Sequence, residues 1–417
     1  MKISKLRLEN IKCFQDVELS FEENEGDIKD WSLIVGDNGR GKTTILRSLA
    51  TGLCDKEGVS ALLAELHGGF LRQGANKGSI EICLKDEDNK KYTIKTKIEG
   101  ESESISQDVF LGDCVGKKET NRARNFKREN IFAVAYGAGR SVEGDRSYEE
   151  YALVDSVYTL FKYEHPLQNA ELGARRVNDH KKKQWKRLQE ILKEVLMLEK
   201  DDEISLEITG LYIKTKRGKY LFQTLSDGYK SLTSVIIDFV SWNLLYELDF
   251  DLSSLSGIFI IDELEQHLHP RWQREIVKIL SKQFPNVQFI CSTHTPICAL
   301  GLSDLERSWL FKAAYVNNHS GVERFNLQEE FKGYRADQIL TSDIFGLPDT
   351  RSVSVQDKLE TYKKIYLKEE NKRSPEEKQQ FRDIEGELKD LPMWDNKKEK
   401  EKREKLIKLL ENLEKKS

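Results

Sequence analysis

The sequence predicts an α/β fold: a mixed sheet with helices plus an antiparallel β subdomain, a helical insertion, and a charged helical C-terminal extension. Three observations carry that expectation. A glycine-rich loop at 36–43 sits between an apolar run and a stretch with helical apolar spacing. A second apolar run, 257–261, ends in two adjacent acids, Asp262 and Glu263. Between them, 78–98 and 203–224 alternate apolar and polar residues in the β manner, while 148–200 repeats with a helical period.

The elements follow in order. Ile3, Leu6, Leu8 and Ile11 belong to a first extended segment and 17–21 to a second. The run 31–35 stops at Gly36, as a buried strand should, and Ile45, Leu46, Leu49 and Leu53 then space a helix. Residues 78–98 read as a hairpin around the turn 86–89, residues 101–128 as a polar surface loop, and 131–135 as a buried strand. Leu188, Ile191, Leu192, Val195 and Leu198 form one helical stripe within the insertion at about 148–200. A helix over about 228–247, a strand over 257–261, a helix over 271–283 and a strand over 287–292 come next, and then short mixed elements to about 330. The expected domains are a head over 1–330 and a helical extension over 331–417 for oligomer or partner docking. In that extension Leu406, Leu409, Leu410 and Leu413 share one helix face.

At 417 residues and 48.3 kDa the chain fits two lobes or one large domain with insertions. It is 33% charged with a net charge of only −4, so no global basic field holds it on nucleic acid. DNA contact through this chain needs a local patch, with candidates Arg122, Arg124, Lys127, Arg128 and the 181–187 run; a solvated helix face is the competing reading of that run. Cys13, Cys54, Cys83, Cys114, Cys291 and Cys298 are scattered without a CxxC pair and read as reduced thiols. No apolar stretch reaches signal-peptide or membrane-spanning length, so the expectation is a cytoplasmic protein without a membrane partner.

Gly36, Asp37, Asn38, Gly39, Arg40, Gly41, Lys42 and Thr43 fit G-x-x-x-x-G-K-[ST], with Thr44 next on the helix. Glycines let such a loop wrap a phosphate with backbone N–H groups, and the helix adds the positive end of its dipole. Lys42 is expected to reach the β- and γ-phosphates of ATP, and the Thr43 hydroxyl to bind Mg2+. A strand buried on both faces does not end in charge without a partner, and Mg2+ near Thr43 is such a partner for Asp262. Glu263, one residue on, is placed to polarise the attacking water. Further along lie Leu225-Ser226-Asp227-Gly228-Tyr229 before a helix and Ser292-Thr293-His294 after a strand.

These four motifs, in this order, resemble ABC-type ATPases. LSDGY at 225–229 stands where that family carries a signature of the LSGGQ type. The resemblance implies that Ser226, Asp227 and Gly228 face the γ-phosphate bound by another copy, and that His294 is the switch histidine. The opening KISKLRLENIKCF resembles the SMC, RecF and Rad50 branch and not the transporter branch. Lys12 is then either a contact to the α-phosphate or ribose, or a plain surface lysine. No Q-loop glutamine follows the strand at 131–135; Arg140 replaces its function, or the metal is held differently and hydrolysis is slow. The whole, with the 334–352 segment, resembles the ATPase subunits of Septu and retron-associated anti-phage systems. That resemblance implies a homodimer or higher homo-oligomer closed by ATP and regulating a separate HNH-type nuclease or effector. A RecF-like DNA repair ATPase and a nucleotide-gated scaffold with negligible turnover are the alternatives.

Overall fold

The structure, a computed structural model, describes residues 1–389 other than 25, 118–120, 141–143, 145–147, 248–250, 317–318, 348 and 369. Two compact units divide the chain, Met1–Gly346 and Leu347–Ser417.

The first unit opens with β1 (Lys2–Ile11) and β2 (Phe14–Ser20), an antiparallel pair joined by a tight turn in which Asn10 and Lys12 have positive φ. The fully buried β3 (Trp31–Val35) leads through the glycine-rich loop into α1 (Lys42–Leu53), and α2 (Lys56–Ala64) follows, capped by Asp55. Next come β4 (Lys77–Lys85), β5 (Lys91–Glu99) and β6 (Ser104–Leu111), which complete a five-stranded antiparallel sheet in the order β2-β1-β4-β5-β6. The expected surface loop at 101–128 is therefore a strand in its first third. Its edge position leaves every side chain but that of Phe110 exposed or half-exposed, so it shows little apolar signal.

β7 (Ala133–Tyr136) is followed by α3 (Leu153–Val157), α4 (Ala170–His180) and α5 (Lys182–Val195). The helical stretch expected over 148–200 is thus broken, with Pro166 in the break between α3 and α4. Of the stripe, Leu188, Ile191, Leu192 and Val195 are buried on α5 as their spacing predicts, whereas Leu198 lies beyond the end of the helix and is half-buried. A small antiparallel sheet, β8 (Glu203–Glu207), β9 (Gly210–Thr215) and β10 (Gly218–Leu221), precedes the 20-residue α6 (Asp227–Tyr246). Then β11 (Ser256–Ile261), α7 (Pro270–Gln283), β12 (Asn286–Ser292), α8 (Pro296–Leu302), β13 (Ser308–Val316) and β14 (His319–Phe325) follow. The short α9 (Leu327–Glu330) and α10 (Ala336–Leu340) close the unit.

The central sheet has six strands in the order β14-β13-β3-β12-β11-β7; all are parallel to their neighbours except the edge strand β14. Its two faces feed two cores, because successive side chains on a strand point to opposite sides. Trp31, Leu33, Val35, Phe259, Ile261, Phe289 and Cys291 pack against α4 to α8. Ile34, Ile258, Ile260 and Ile290 face α1 and the five-stranded sheet. In the second unit, α11 (Val353–Tyr366) and α12 (Pro375–Lys389) form a helical hairpin whose Tyr362 and Phe381 rings stack at 4.5 Å. The leucine stripe at 406–413 lies outside the described residues.

One acid is buried within the apolar α6. Asp238 accepts hydrogen bonds from the Tyr136 hydroxyl at 2.9 Å and the Gln168 N–H at 2.9 Å, tying α6 to the end of β7. Burial pushes its pKa up to about 7. Native protein therefore holds a proton that the unfolded chain has released, and stability falls as pH rises through that interval. The contribution is complete below the ordinary value of 3.8 and lost as the pH passes about 7. Asp238→Asn, which cannot ionise, should show a melting temperature with less dependence on pH across this window. A difference between variant and wild type that stays flat with pH would contradict the assignment.

Candidate nucleotide-binding site

Four neighbouring strands end at one edge of the central sheet. Registers pair Ile261 with Tyr136 and with Cys291, and Ser292 with Ile34, so the residues leaving β7, β11, β12 and β3 emerge side by side. The carboxyl edge of a parallel sheet is where α/β folds place ligands. Every motif residue from these strands is delivered there.

Gly36 leaves β3 at φ 141°, and a Cβ would stand 2.3 Å from the Ala313 carbonyl oxygen on β13, so only glycine fits. Gly41 caps α1 at φ 96°, and there a Cβ would meet the Phe14 ring at 2.5 Å. The loop between them holds Lys42, whose Nζ donates to the carbonyls of Gly36 at 2.6 Å and Asp37 at 3.0 Å. Burial lowers the Lys42 pKa, opposed by acids of which Asp262 acts most strongly. The ammonium thus spans the mouth of a loop rich in N–H donors, where anionic oxygens can take the place of those two carbonyls. Asp37, Asn38 and Gly39 are exposed, and Arg40 lies 5.1 Å from the ring of the exposed Tyr315. Thr44 is half-buried in the first turn of α1.

The Thr43 hydroxyl donates to Asp262 Oδ2 at 2.7 Å. Adjacent ligands of an octahedral Mg2+ with bonds of about 2.1 Å stand roughly 2.9 Å apart. These two hard oxygens therefore fit one magnesium edge with little rearrangement. The other Asp262 oxygen receives the Ser292 hydroxyl, which in turn accepts the Glu263 N–H at 2.9 Å. Glu263 has φ 51°, and its carboxylate lies 3.9 Å from His294 Nε2. The His294 N–H donates to Glu265 Oε1 at 2.6 Å, fixing the histidine loop against the 263–268 turn. Glu263 and His294 are both partly exposed and flank the same opening.

Sequence reasoning singled out the lysine, the acids and the histidine but passed over Ser292, the hydroxyl that connects both acids. Its signal is the polar residue ending β12 inside the Ser292-Thr293-His294 motif. Arg140 lies at this edge as well: it is 7% exposed and donates to the carbonyls of Asp262 at 2.7 Å, Glu263 at 3.1 Å and Gly137 at 3.3 Å. Those partners are backbone carbonyls, two on the acidic turn and one on its own loop.

Ser226 is the N-cap residue of α6, exposed, and its hydroxyl makes no capping bond. Asp227 pairs with Lys230 at 3.0 Å. Gly228 is buried against the acidic turn, where a Cβ would meet the His267 carbonyl oxygen at 2.5 Å. Lys12 donates from Nζ to the Gly68 carbonyl at 3.3 Å and from its backbone to Phe70 at 3.0 Å, which joins the β1–β2 turn to the 68–72 loop. One buried guanidinium nitrogen of Arg72, on that loop, has no hydrogen-bond partner. Among the proposed DNA contacts, Arg128 is a correction: its guanidinium bonds the carbonyls of Leu53 and Cys54 and the Gln107 side chain, a structural role. Arg122 pairs with Asp108 at 3.0 Å. Among the described residues no helix is long and apolar enough to cross a membrane.

The fold resembles that of an SMC head. The head of an SMC protein solved with the C-terminal winged-helix domain of ScpA superposes with a TM-score of 0.51 at 15% identity, covering 80% of this chain and 100% of that one. Residues 150–297 match the family described as AAA domain, putative AbiEii toxin, Type IV TA system. The chain is similar to the Septu protein PtuA of Bacillus mycoides, at 26% identity over 90% of this chain and 48% of that protein. It is also similar to the retron Ec83 probable ATPase of Escherichia coli, at 39% identity over 21% of this chain and 16% of that one. The chain thus spans about half the length of the PtuA relative.

Removing the Ser292 hydroxyl deprives Asp262 of one partner and leaves the Glu263 N–H without its acceptor. Ser292→Ala should lower ATP turnover about tenfold or more, with a destabilisation of roughly 1–3 kcal/mol. A phosphate-release assay showing unchanged turnover would remove Ser292 from the site.

Proposed function

We propose that this chain binds and hydrolyses ATP with Mg2+, closes on a second copy around the nucleotide, and thereby regulates a separate effector, an HNH-type nuclease in anti-phage defence. The observation that supports the chemistry best is the convergence of Lys42, Thr43, Asp262, Glu263 and His294 on the edge where β3, β11 and β12 end.

Each side chain then has a task. Lys42 exchanges two backbone carbonyls for β- and γ-phosphate oxygens. Thr43 and Asp262 hold Mg2+, which neutralises charge developing on the transferred phosphoryl group. Glu263 orients and deprotonates the attacking water, and His294, across the same opening, contacts the γ-phosphate. Ser226 supports the second half of the proposal. Its hydroxyl stands uncapped and exposed at the start of a 20-residue helix, whose N-terminal dipole favours an anion brought by another copy. The γ-phosphate would then bridge Lys42 of one head and Ser226 of the other, and its loss would loosen the pair.

The defence role rests on similarity to Septu PtuA and to retron ATPases, and the partner role of the extension on its separate helical hairpin. Co-purification with the products of neighbouring genes, followed by mass measurement with and without ATP, tests it; recovery of this chain alone in both conditions would contradict an effector partner.

Two variants check the site itself. Glu263→Gln should bind ATP and accumulate as a dimer or larger assembly, read as an ATP-dependent rise in mass by light scattering. No rise would count against closure around ATP. Lys42→Ala should lose nucleotide binding, and ordinary ATP affinity in that variant would overturn the assignment of the loop.

A further inference from the structure

Glu263 occupies a left-handed backbone conformation, φ 51°, in which a side-chain-bearing residue is uncommon and persists only where its surroundings over-determine it. Its two peptide ends are both held. The N–H donates to Ser292 Oγ at 2.9 Å, and the carbonyl accepts from Arg140 at 3.1 Å. The same guanidinium grips the preceding carbonyl, that of Asp262, at 2.7 Å, and its own loop at Gly137. Arg140 reaches this position because β7 runs parallel to β11, so the segment leaving Tyr136 passes beside the turn leaving Ile261.

Burying a guanidinium has a cost, visible in a pKa drawn down to about 10 by desolvation, with Asp262 the strongest of the acids that oppose it. The side chain remains cationic at neutral pH and takes no carboxylate as a hydrogen-bond partner. Both terminal nitrogens donate to backbone carbonyls of the turn that carries the two acids, while the buried Nε has no partner. We propose that Arg140 is a positioning residue: by bridging the successive carbonyls of Asp262 and Glu263, it holds the left-handed turn that aims the Glu263 carboxylate at the attacking water beside His294. This rests on the reading of Glu263 as the base. A lysine cannot substitute, because one ammonium lacks the planar fork that spans two adjacent carbonyls and the home loop together.

The test is a double-mutant cycle on the full chain with Arg140→Lys, Glu263→Gln and both, reading single-turnover ATP hydrolysis, KM and the affinity for a fluorescent ATP analogue. Arg140→Lys should lower kcat by roughly 10- to 100-fold, while KM and analogue affinity stay within about threefold of wild type. In the Glu263→Gln background it should cost less than about twofold more, because it acts through Glu263. Arg140→Gln, which keeps an amide donor, should repeat the pattern and serves if the lysine variant is insoluble. Retained kcat, a loss that follows analogue affinity, or losses that multiply in the double variant would each overturn the proposal. If Glu263→Gln itself hydrolyses ATP at the wild-type rate, the reading of the base fails and the inference falls with it; an inactive Glu263→Gln beside a fully active Arg140→Lys sinks the inference alone.

Discussion

Asp262 is a carboxylate at the end of a strand that is otherwise apolar and buried on both faces. A charge in such a place is costly unless it is hydrogen-bonded or bound to a cation. Two segments far apart in sequence answer that demand, and a third holds the backbone beside it. Thr43 and Ser292 donate their hydroxyls to its two side-chain oxygens, and Arg140 donates to its carbonyl. Ser292 ends β12 and Thr43 opens the helix that follows β3, so the carboxylate is satisfied only if β3, β11 and β12 stop at the same level. A hydroxyl that donates to a carboxylate keeps lone pairs free, so Thr43 can serve Asp262 and a cation at once. The central sheet and the site are in this sense one construction.

What the sequence makes legible follows from how local the signal is. The loop at 36–43 is contiguous, and its Gly36 and Gly41 are forced by the Ala313 carbonyl and the Phe14 ring. The apolar run ending at Asp262 and Glu263 is contiguous too, and both strands of that kind lie where the spacing puts them. β6 escapes because an edge strand needs little apolar alternation, and three polar residues, 106–108, separate Ile105 from the apolar residues at its end. Ser292, and the backbone partners of Arg140, escape for a different reason. Neither belongs to a periodic pattern, and the meaning of each depends on which strands are neighbours in the sheet, which no short window of residues discloses. The same holds for Arg128, whose charge suggests nucleic acid while its position behind α1 commits it to the carbonyls of Leu53 and Cys54.

Helix α6 is fastened to the carboxyl edge of the central sheet at two points. Near its middle, Asp238 bonds the hydroxyl of Tyr136, the last residue of β7. At its start, Gly228 lies so close to the His267 carbonyl that no larger residue fits, and Tyr229 meets Trp272 edge-on at 4.7 Å. His267 belongs to the turn that begins with Glu263, and that turn is pinned to the histidine loop by Glu265. Interfaces packed this closely respond to displacement by moving together and not by deforming gradually. If two heads close around nucleotide, the turn carrying the base of one site abuts, in the same chain, the serine offered to the other. A shift of the 263–268 turn would then be felt at Ser226 through the contact of Gly228 with His267, which couples the two sites without passing through the length of either lobe.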